Sequence, residues 1–102
     1  ESPLRVALIA SASWSHAFLS PRFGFLLPDQ SADKRLFDAL CRRDYETWRK
    51  TPAQEMEAAG PHEVLNWMLL AGAMEYLGHE PQVIDYVESH LFTSQKCFMA
   101  FR

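Results

Sequence analysis

The feature that most constrains the fold is a strongly apolar helical segment that begins with a carboxylate. Residues 64–74 are almost wholly apolar, and Glu63 precedes them directly. Counting along one helical face from Glu63 gives Trp67, Leu70 and Met74, which are large and hydrophobic and mark the face that packs in a core. A carboxylate on that face is costly unless a cation, a metal ion or hydrogen bonds compensate it. We therefore expect the fold to bring a partner to Glu63.

A histidine after a strand-like run is the candidate partner. Residues 4–10 form a short apolar run with β-branched members, which predicts a buried central strand. His16 follows through a serine-rich turn, and α/β folds gather ligand-binding groups at the carboxyl ends of strands. Two simpler alternatives stay open: His16 packs beside neighbouring aromatic residues, and Glu63 only meets the helix dipole. The competing interpretation is metal binding, since carboxylate oxygen and imidazole nitrogen suit Fe(II), Mn(II) or Zn(II).

The rest of the pattern predicts an α/β fold: a partial sheet with a core strand at the N-terminus, three to four helices, and then two strands. At 102 residues the chain forms at most one domain. Because domains seldom begin with an interior strand, we expect residues 1–102 to be the C-terminal part of a larger α/β domain. After a long ordered loop, the predicted helices cover residues 31–43, 44–50, 51–60 and 62–77, and the strands cover residues 82–87 and 96–101.

Charge and cysteine content exclude several classes of protein. The net charge of −3 argues against binding to nucleic acid or to an anionic membrane surface. The apolar runs are far shorter than the ~20 residues that a bilayer requires. Cys41 and Cys97 provide no disulfide framework, and we expect Cys41 to be buried on its helix. These observations favour a cytoplasmic protein.

Four segments together resemble the class III extradiol ring-cleavage dioxygenases, of the protocatechuate 4,5-dioxygenase β-subunit and gallate dioxygenase type. Residues 6–16 resemble the family's strand and its "G-G-x-S-H" turn, although the two glycines are absent here. Residues 33–40 are similar to its "D-R-x-F-L-x-x-L" helix, and residues 57–67 to its "E-A-G-x-x-E-x-x-N-W" segment, which residues 71–74 continue. The resemblance spans nearly the whole chain but covers only the C-terminal part of such an enzyme.

The resemblance implies an enzyme of aromatic hydrocarbon catabolism that cleaves a catechol-type ring with O₂ and non-haem Fe(II). It implies that His16 is the catalytic acid and base, because an imidazole titrates near neutral pH. It makes Glu63 the carboxylate of a facial triad of two histidines and one carboxylate, which leaves open positions on the iron. Trp67 would shape the substrate pocket, and Ser94 would contact the substrate.

The two iron-binding histidines of the family have no counterpart in this sequence. His62, His79 and His90 are not at matching positions, so we expect this chain to be inactive unless its N-terminal half or another chain supplies two histidines. A small partner subunit or a homodimer fits the family. Two alternatives remain: a non-catalytic binding or scaffold relative, and a metal-dependent hydrolase in which Glu63 holds zinc.

Overall fold

The computed structural model describes residues 3–60, 62–89 and 91–102. These residues form four α-helices and a three-stranded sheet, which confirms the mixed α/β class. Two short 3-10 turns follow the first strand. In chain order the elements are β1 (Ser15–His16), α1 (Gln30–Cys41), α2 (Tyr45–Lys50), α3 (Ala53–Ala59), α4 (Val64–Leu77), β2 (Pro81–Ser89) and β3 (Ser94–Phe101).

The sheet is antiparallel, with the strand order β1–β3–β2. β2 and β3 form a long hairpin that is irregular between Val83 and Asp85. β1 contributes two residues, of which Ser15 pairs with Gln95 and His16 pairs with Ser94. The sheet therefore holds His16 next to the closed end of the hairpin.

The N-terminal core strand that the sequence predicts is not found. Residues 4–10 form no strand, and none of the described strands pairs with them. Their apolar side chains lie in solvent, as Val6 and Ile9 show with exposures of 85% and 82%. The run has the right composition for a central strand, but a strand also needs hydrogen-bonding neighbours. The three described strands pair with one another, and a pocket separates residues 9–12 from Cys97, Phe98 and Met99 of β3.

Trp14 is the centre of the hydrophobic core. Its side chain is fully buried, directly before the two residues of β1. Aromatic rings from α1, α2, α4 and β2 surround it, each at a steep angle to the indole, in the edge-to-face geometry that aromatic pairs favour. The ring centroids lie 5.4 Å away for Trp67, 5.8 Å for Trp48, 6.0 Å for Phe37 and 6.1 Å for Tyr86. The core therefore fixes the position of the chain immediately before His16.

Local capping explains where α1 and α2 begin. Asp29 caps α1 by accepting a hydrogen bond from the Ala32 N–H, and Asp44 caps α2 in the same way. The sequence Thr51-Pro52-Ala53-Gln54 also predicts Thr51 as the N-cap of α3, and this prediction is wrong. The N-cap position is occupied by Pro52, and the Thr51 hydroxyl donates instead to the Thr47 carbonyl of α2, 2.8 Å away.

α4 is the most apolar helix, and it ends at Leu77 as predicted, followed by Gly78 in a left-handed conformation with φ of 74°. One side of α4 enters the core through Trp67 and Leu70, while Leu65 and Leu69 are exposed on the opposite side. Among the described residues, no helix is long and apolar enough to cross a membrane.

The two cysteines are free thiols in different environments. Cys41 is exposed, against the prediction of burial, because it occupies the last turn of α1, beyond the buried Leu40. Cys97 is buried in β3, and burial raises the pKa of its thiol to about 12. Partial desolvation and the Asp38 carboxylate raise the pKa of the Cys41 thiol as well, so neither thiol is suited to act as a nucleophile at neutral pH.

Candidate functional site

His16 and Glu63 lie side by side, although they are far apart in the sequence. The Nε2 atom of His16 is 3.5 Å from Oε1 of Glu63. β1 carries the histidine, and Glu63 is the residue from which α4 starts. The His16 side chain is 18% exposed and the Glu63 side chain is 40% exposed, so the pair lies at the surface with the imidazole on its inner side.

Glu63 does not cap its own helix. It occupies the N-cap position of α4, but its side chain makes no capping hydrogen bond. Its Oε2 atom instead accepts a hydrogen bond from the backbone N–H of Ser13, 2.6 Å away. The carboxylate therefore joins the start of α4 to the segment that leads into β1.

The prediction that Glu63 lies on the buried face of its helix needs a correction. Trp67 and Leu70 are buried as the pattern predicts, whereas Glu63 is half-exposed. Glu63 stands at the N-cap position, before the first residue of α4, and its carboxylate turns away from the helix toward the Ser13 N–H.

The imidazole of His16 is oriented by its neighbours. Its ring packs against the ring of Phe18, with centroids 4.8 Å apart and planes tilted by 35°. Gly60, with φ of 91°, allows the chain after His16 to pass close to the end of α3. A Cβ atom at Gly60 would lie 2.9 Å from the His16 carbonyl oxygen, which is closer than real Cβ atoms come. The site therefore needs glycine at position 60.

A surface cleft of about 410 Å³ lies beside Glu63, at the small end of the range for ligand sites. It has one wall from β3 and another from the segment before β1. Its charged side chains are Glu63 and Lys96, and no described residue forms an ion pair with Lys96. The lining residues are Ser11, Ala12, Ser13, Glu63, Lys96, Cys97 and Phe98.

A buried hydrogen-bond network supports β1 from behind. The Ser15 hydroxyl donates to Oδ2 of Asp33 at 2.5 Å, and the Ser94 hydroxyl donates to the Ser15 carbonyl at 2.9 Å. Burial raises the pKa of Asp33 to about 7, and the negative charges of Asp29 and Glu88 raise it further against the Ser15 hydrogen bond. Asp33 therefore gains its proton near neutral pH, unlike an ordinary aspartate.

Sequence reasoning did not find Asp33 or Ser15, although a signal was present. Leu36 and Leu40 follow Asp33 on the same face of α1, and that face is buried. Glu63 was selected by the same pattern, a carboxylate on an otherwise apolar helical face. The structure shows that Asp33 is buried, whereas Glu63 is half-exposed.

Neither Trp67 nor Ser94 lines the cleft beside Glu63, although Trp67 lines an adjoining pocket of about 230 Å³. Trp67 lies in the core against Trp14, and among the described residues its buried indole N–H has no hydrogen-bond partner. The hydroxyl of Ser94 donates its hydrogen bond to the carbonyl of Ser15. Their substrate-binding roles stay predictions. His90 lies outside the described residues.

The described residues could supply one ligand of an iron site, but not a complete set of ligands. Among residues 3–60, 62–89 and 91–102, no group of three His, Cys, Asp or Glu side chains is arranged to hold a metal ion. Glu63 offers one hard oxygen ligand at the protein surface, with the His16 imidazole beside it. A facial triad around Fe(II) would need two further histidines from outside the described residues.

No protein-family model, curated protein or solved structure matches the chain. The assignment of a function therefore depends on the geometry of the His16–Glu63 pair and on the resemblance of the four sequence segments.

Proposed function

We propose that this chain is the C-terminal portion of a cytoplasmic extradiol dioxygenase, which cleaves a catechol-type ring next to its vicinal hydroxyls and adds both atoms of O₂ to the product. The observation that carries the proposal is the 3.5 Å approach of His16 to Glu63. The two residues are those that the family resemblance pairs as acid–base group and iron ligand. Their side chains meet beside an open cleft, where a small aromatic substrate has access.

In this proposal Glu63, which lines the cleft, is a ligand of Fe(II). The Ser13 N–H holds its Oε2 atom, as hydrogen bonds to metal-binding carboxylates do in general. The bound iron would supply the positions at which catecholate and O₂ react. His16 would take the proton from the catechol hydroxyl and return it later as an acid, a role that suits an imidazole.

The missing two histidines would come from the N-terminal half of the protein or from another chain. The surface of this chain offers a place for that half to pack. Residues 4–10 expose apolar side chains, and Leu8 and Ile9 form a groove of about 350 Å³ with Leu69 and Leu70 of α4. A neighbouring strand on this segment would cover that apolar surface.

Turnover and iron content, measured on the full-length protein loaded anaerobically with Fe(II), test the proposal. With protocatechuate or gallate and O₂, we expect a yellow ring-opened product. The variant His16→Ala should keep its iron and lose turnover roughly 10²- to 10⁴-fold, as removal of a general acid–base group does. The variant Glu63→Ala should lose the iron itself.

The variant His79→Ala is the matched control, because His79 is exposed and lies in the turn after α4, away from the pair. It should retain both iron and turnover. The proposal fails if the iron-loaded protein turns over no catechol, or if His16→Ala and Glu63→Ala both behave like the control. Glu63-dependent binding of zinc instead of iron, with no turnover of any catechol, would favour the hydrolase.

A second candidate, a non-catalytic scaffold relative, is favoured by one observation. Both oxygens of Glu63 already have partners within this chain, Ser13 for Oε2 and His16 for Oε1. In that case the pair simply joins β1 to α4. Iron binding separates the two candidates: a scaffold retains no stoichiometric Fe(II) after desalting, whereas the dioxygenase does so in a Glu63-dependent way.

A further inference from the structure

Asp33 is the most deeply buried carboxyl group that the proposed function leaves unused. Its side chain is 0% exposed in the first turn of α1. Oδ2 accepts the Ser15 hydroxyl, while Oδ1 is buried and has no hydrogen-bond partner among the described residues. No cation forms an ion pair with it there, since the nearby Arg22 is bound to Asp29 at 2.6 Å. A buried carboxyl with one hydrogen bond lowers stability, so its position calls for an explanation.

Asp33 binds the chain segment that builds the site. The Trp14 indole N–H donates to the Asp33 carbonyl at 3.2 Å, and the next residue, Ser15, donates to the Asp33 side chain. On either side of these two residues, Ser13 and His16 contact Glu63. In residues 13–16 the inner two therefore form hydrogen bonds to Asp33, and the outer two contact Glu63.

β1 needs such support because it is so short. It pairs with β3 through two residues, Ser15 and His16. A two-residue strand has few ladder hydrogen bonds to fix its twist and register, so side-chain bonds decide its orientation. The Ser15 hydroxyl provides the bond from the side opposite to His16, since successive strand residues point to opposite faces.

We propose that Asp33 is a positioning residue, which holds Ser15 and thereby aims the His16 imidazole and the Ser13 N–H at Glu63. The catalytic consequence rests on the proposed function, whereas the positioning itself is a property of this chain. Loss of the Asp33–Ser15 bond frees residues 13–16 to rotate, and a misplacement of about 1 Å at an acid–base group lowers turnover roughly 10²-fold.

NMR of the metal-free full-length protein, labelled with ¹⁵N at serine and histidine, tests the positioning directly. The Ser13 amide proton reports the hydrogen bond to Glu63, and the His16 ring protons report the packing on Phe18. We expect Ser15→Ala and Asp33→Leu to abolish the downfield shift of the Ser13 amide and the contact between the two rings. Asp33→Asn should preserve both signals, because its amide oxygen accepts the same hydrogen bond from Ser15.

The control is Asp44→Leu, which removes the two hydrogen bonds from Thr47 that cap α2 and should leave both signals unchanged. The proposal is overturned if the signals stay in place in Ser15→Ala. If Asp33→Leu does not fold, Ser15→Ala decides, because it removes a single hydroxyl group. In an active enzyme, Ser15→Ala should also lower kcat roughly 10- to 100-fold at constant KM. Unchanged NMR signals refute the positioning, whereas absent turnover in the parent protein refutes the dioxygenase.

Discussion

Two neighbouring segments of this chain differ in burial, and in the opposite sense to what their composition predicts. Residues 4–10 have the composition of a buried strand, yet none of the described strands includes them and their apolar side chains are largely exposed. Residues 13–16 look like a polar turn, yet they are largely buried and bonded to α1, β3 and Glu63. The difference teaches that apolar composition gives a segment the capacity for burial, whereas specific partners determine whether burial occurs. His16 lies in the second of these segments, and the N–H of Ser13 there binds Glu63.

The sharpest test of this contrast is to truncate one aromatic or aliphatic side chain in each segment. Trp14→Ala should lower the free energy of unfolding by roughly 3–5 kcal/mol, because it removes the ring at the centre of the core. Val6→Ala should change it by less than about 0.5 kcal/mol, since that side chain is in solvent. Urea unfolding measures both. Equal losses would mean that residues 4–10 are packed after all.

Asp33, to which Ser15 in residues 13–16 is bonded, should make the stability of the folded chain depend on pH. Its pKa is about 7 in the folded chain against 3.8 for an ordinary aspartate. Between these values the folded state binds more protons than the unfolded state, so stability falls as pH rises. The shift in the Asp33 pKa adds to the free energy of unfolding in full below about pH 4, and this addition is lost by about pH 7. The change is on the order of 4 kcal/mol, at about 1.4 kcal/mol per pKa unit.

Asp33→Asn isolates this effect, because every other titrating group is shared with the parent chain. Relative to Asp33→Asn, the parent protein should lose stability between about pH 4 and pH 7, as measured by urea unfolding at a series of pH values. Asp38→Asn, at a half-exposed position beside Lys34, is the control and should follow the parent profile. A parent profile parallel to that of Asp33→Asn would show that Asp33 ionises normally.

A smaller effect on stability is expected at Gly60, where the chain from His16 onward passes the end of α3. Gly60→Ala should destabilise the chain by roughly 1–3 kcal/mol, because a left-handed φ is unfavourable for alanine and the new Cβ would press on the His16 carbonyl. Gly72→Ala is the matched control within α4, with no atom within 4 Å of the added Cβ. It should stabilise the helix by about 0.5–1 kcal/mol. The prediction is wrong if the two alanines have the same sign in thermal unfolding.

The smallest expected effect concerns the His16–Glu63 pair itself. Glu63→Gln keeps an acceptor for the Ser13 N–H and removes the charge beside His16. Because the pair is partly exposed, stability should fall by about 0.2–1 kcal/mol. A loss several times larger in urea unfolding would favour the scaffold over a catalytic pair. A small loss of stability together with a large loss of iron is the pattern that the dioxygenase predicts.

The sequence by itself determined the local elements: α1, α2, α4 and the β2–β3 hairpin lie close to their predicted positions. Their signals are local, since a helical face, a capping Asp44 or a terminal Gly78 depends on residues within one or two turns. The tertiary structure decided the rest, including the absence of a strand at residues 4–10. It also decided that Glu63 binds the Ser13 N–H and that Asp33 is buried, because partners distant in the sequence control both.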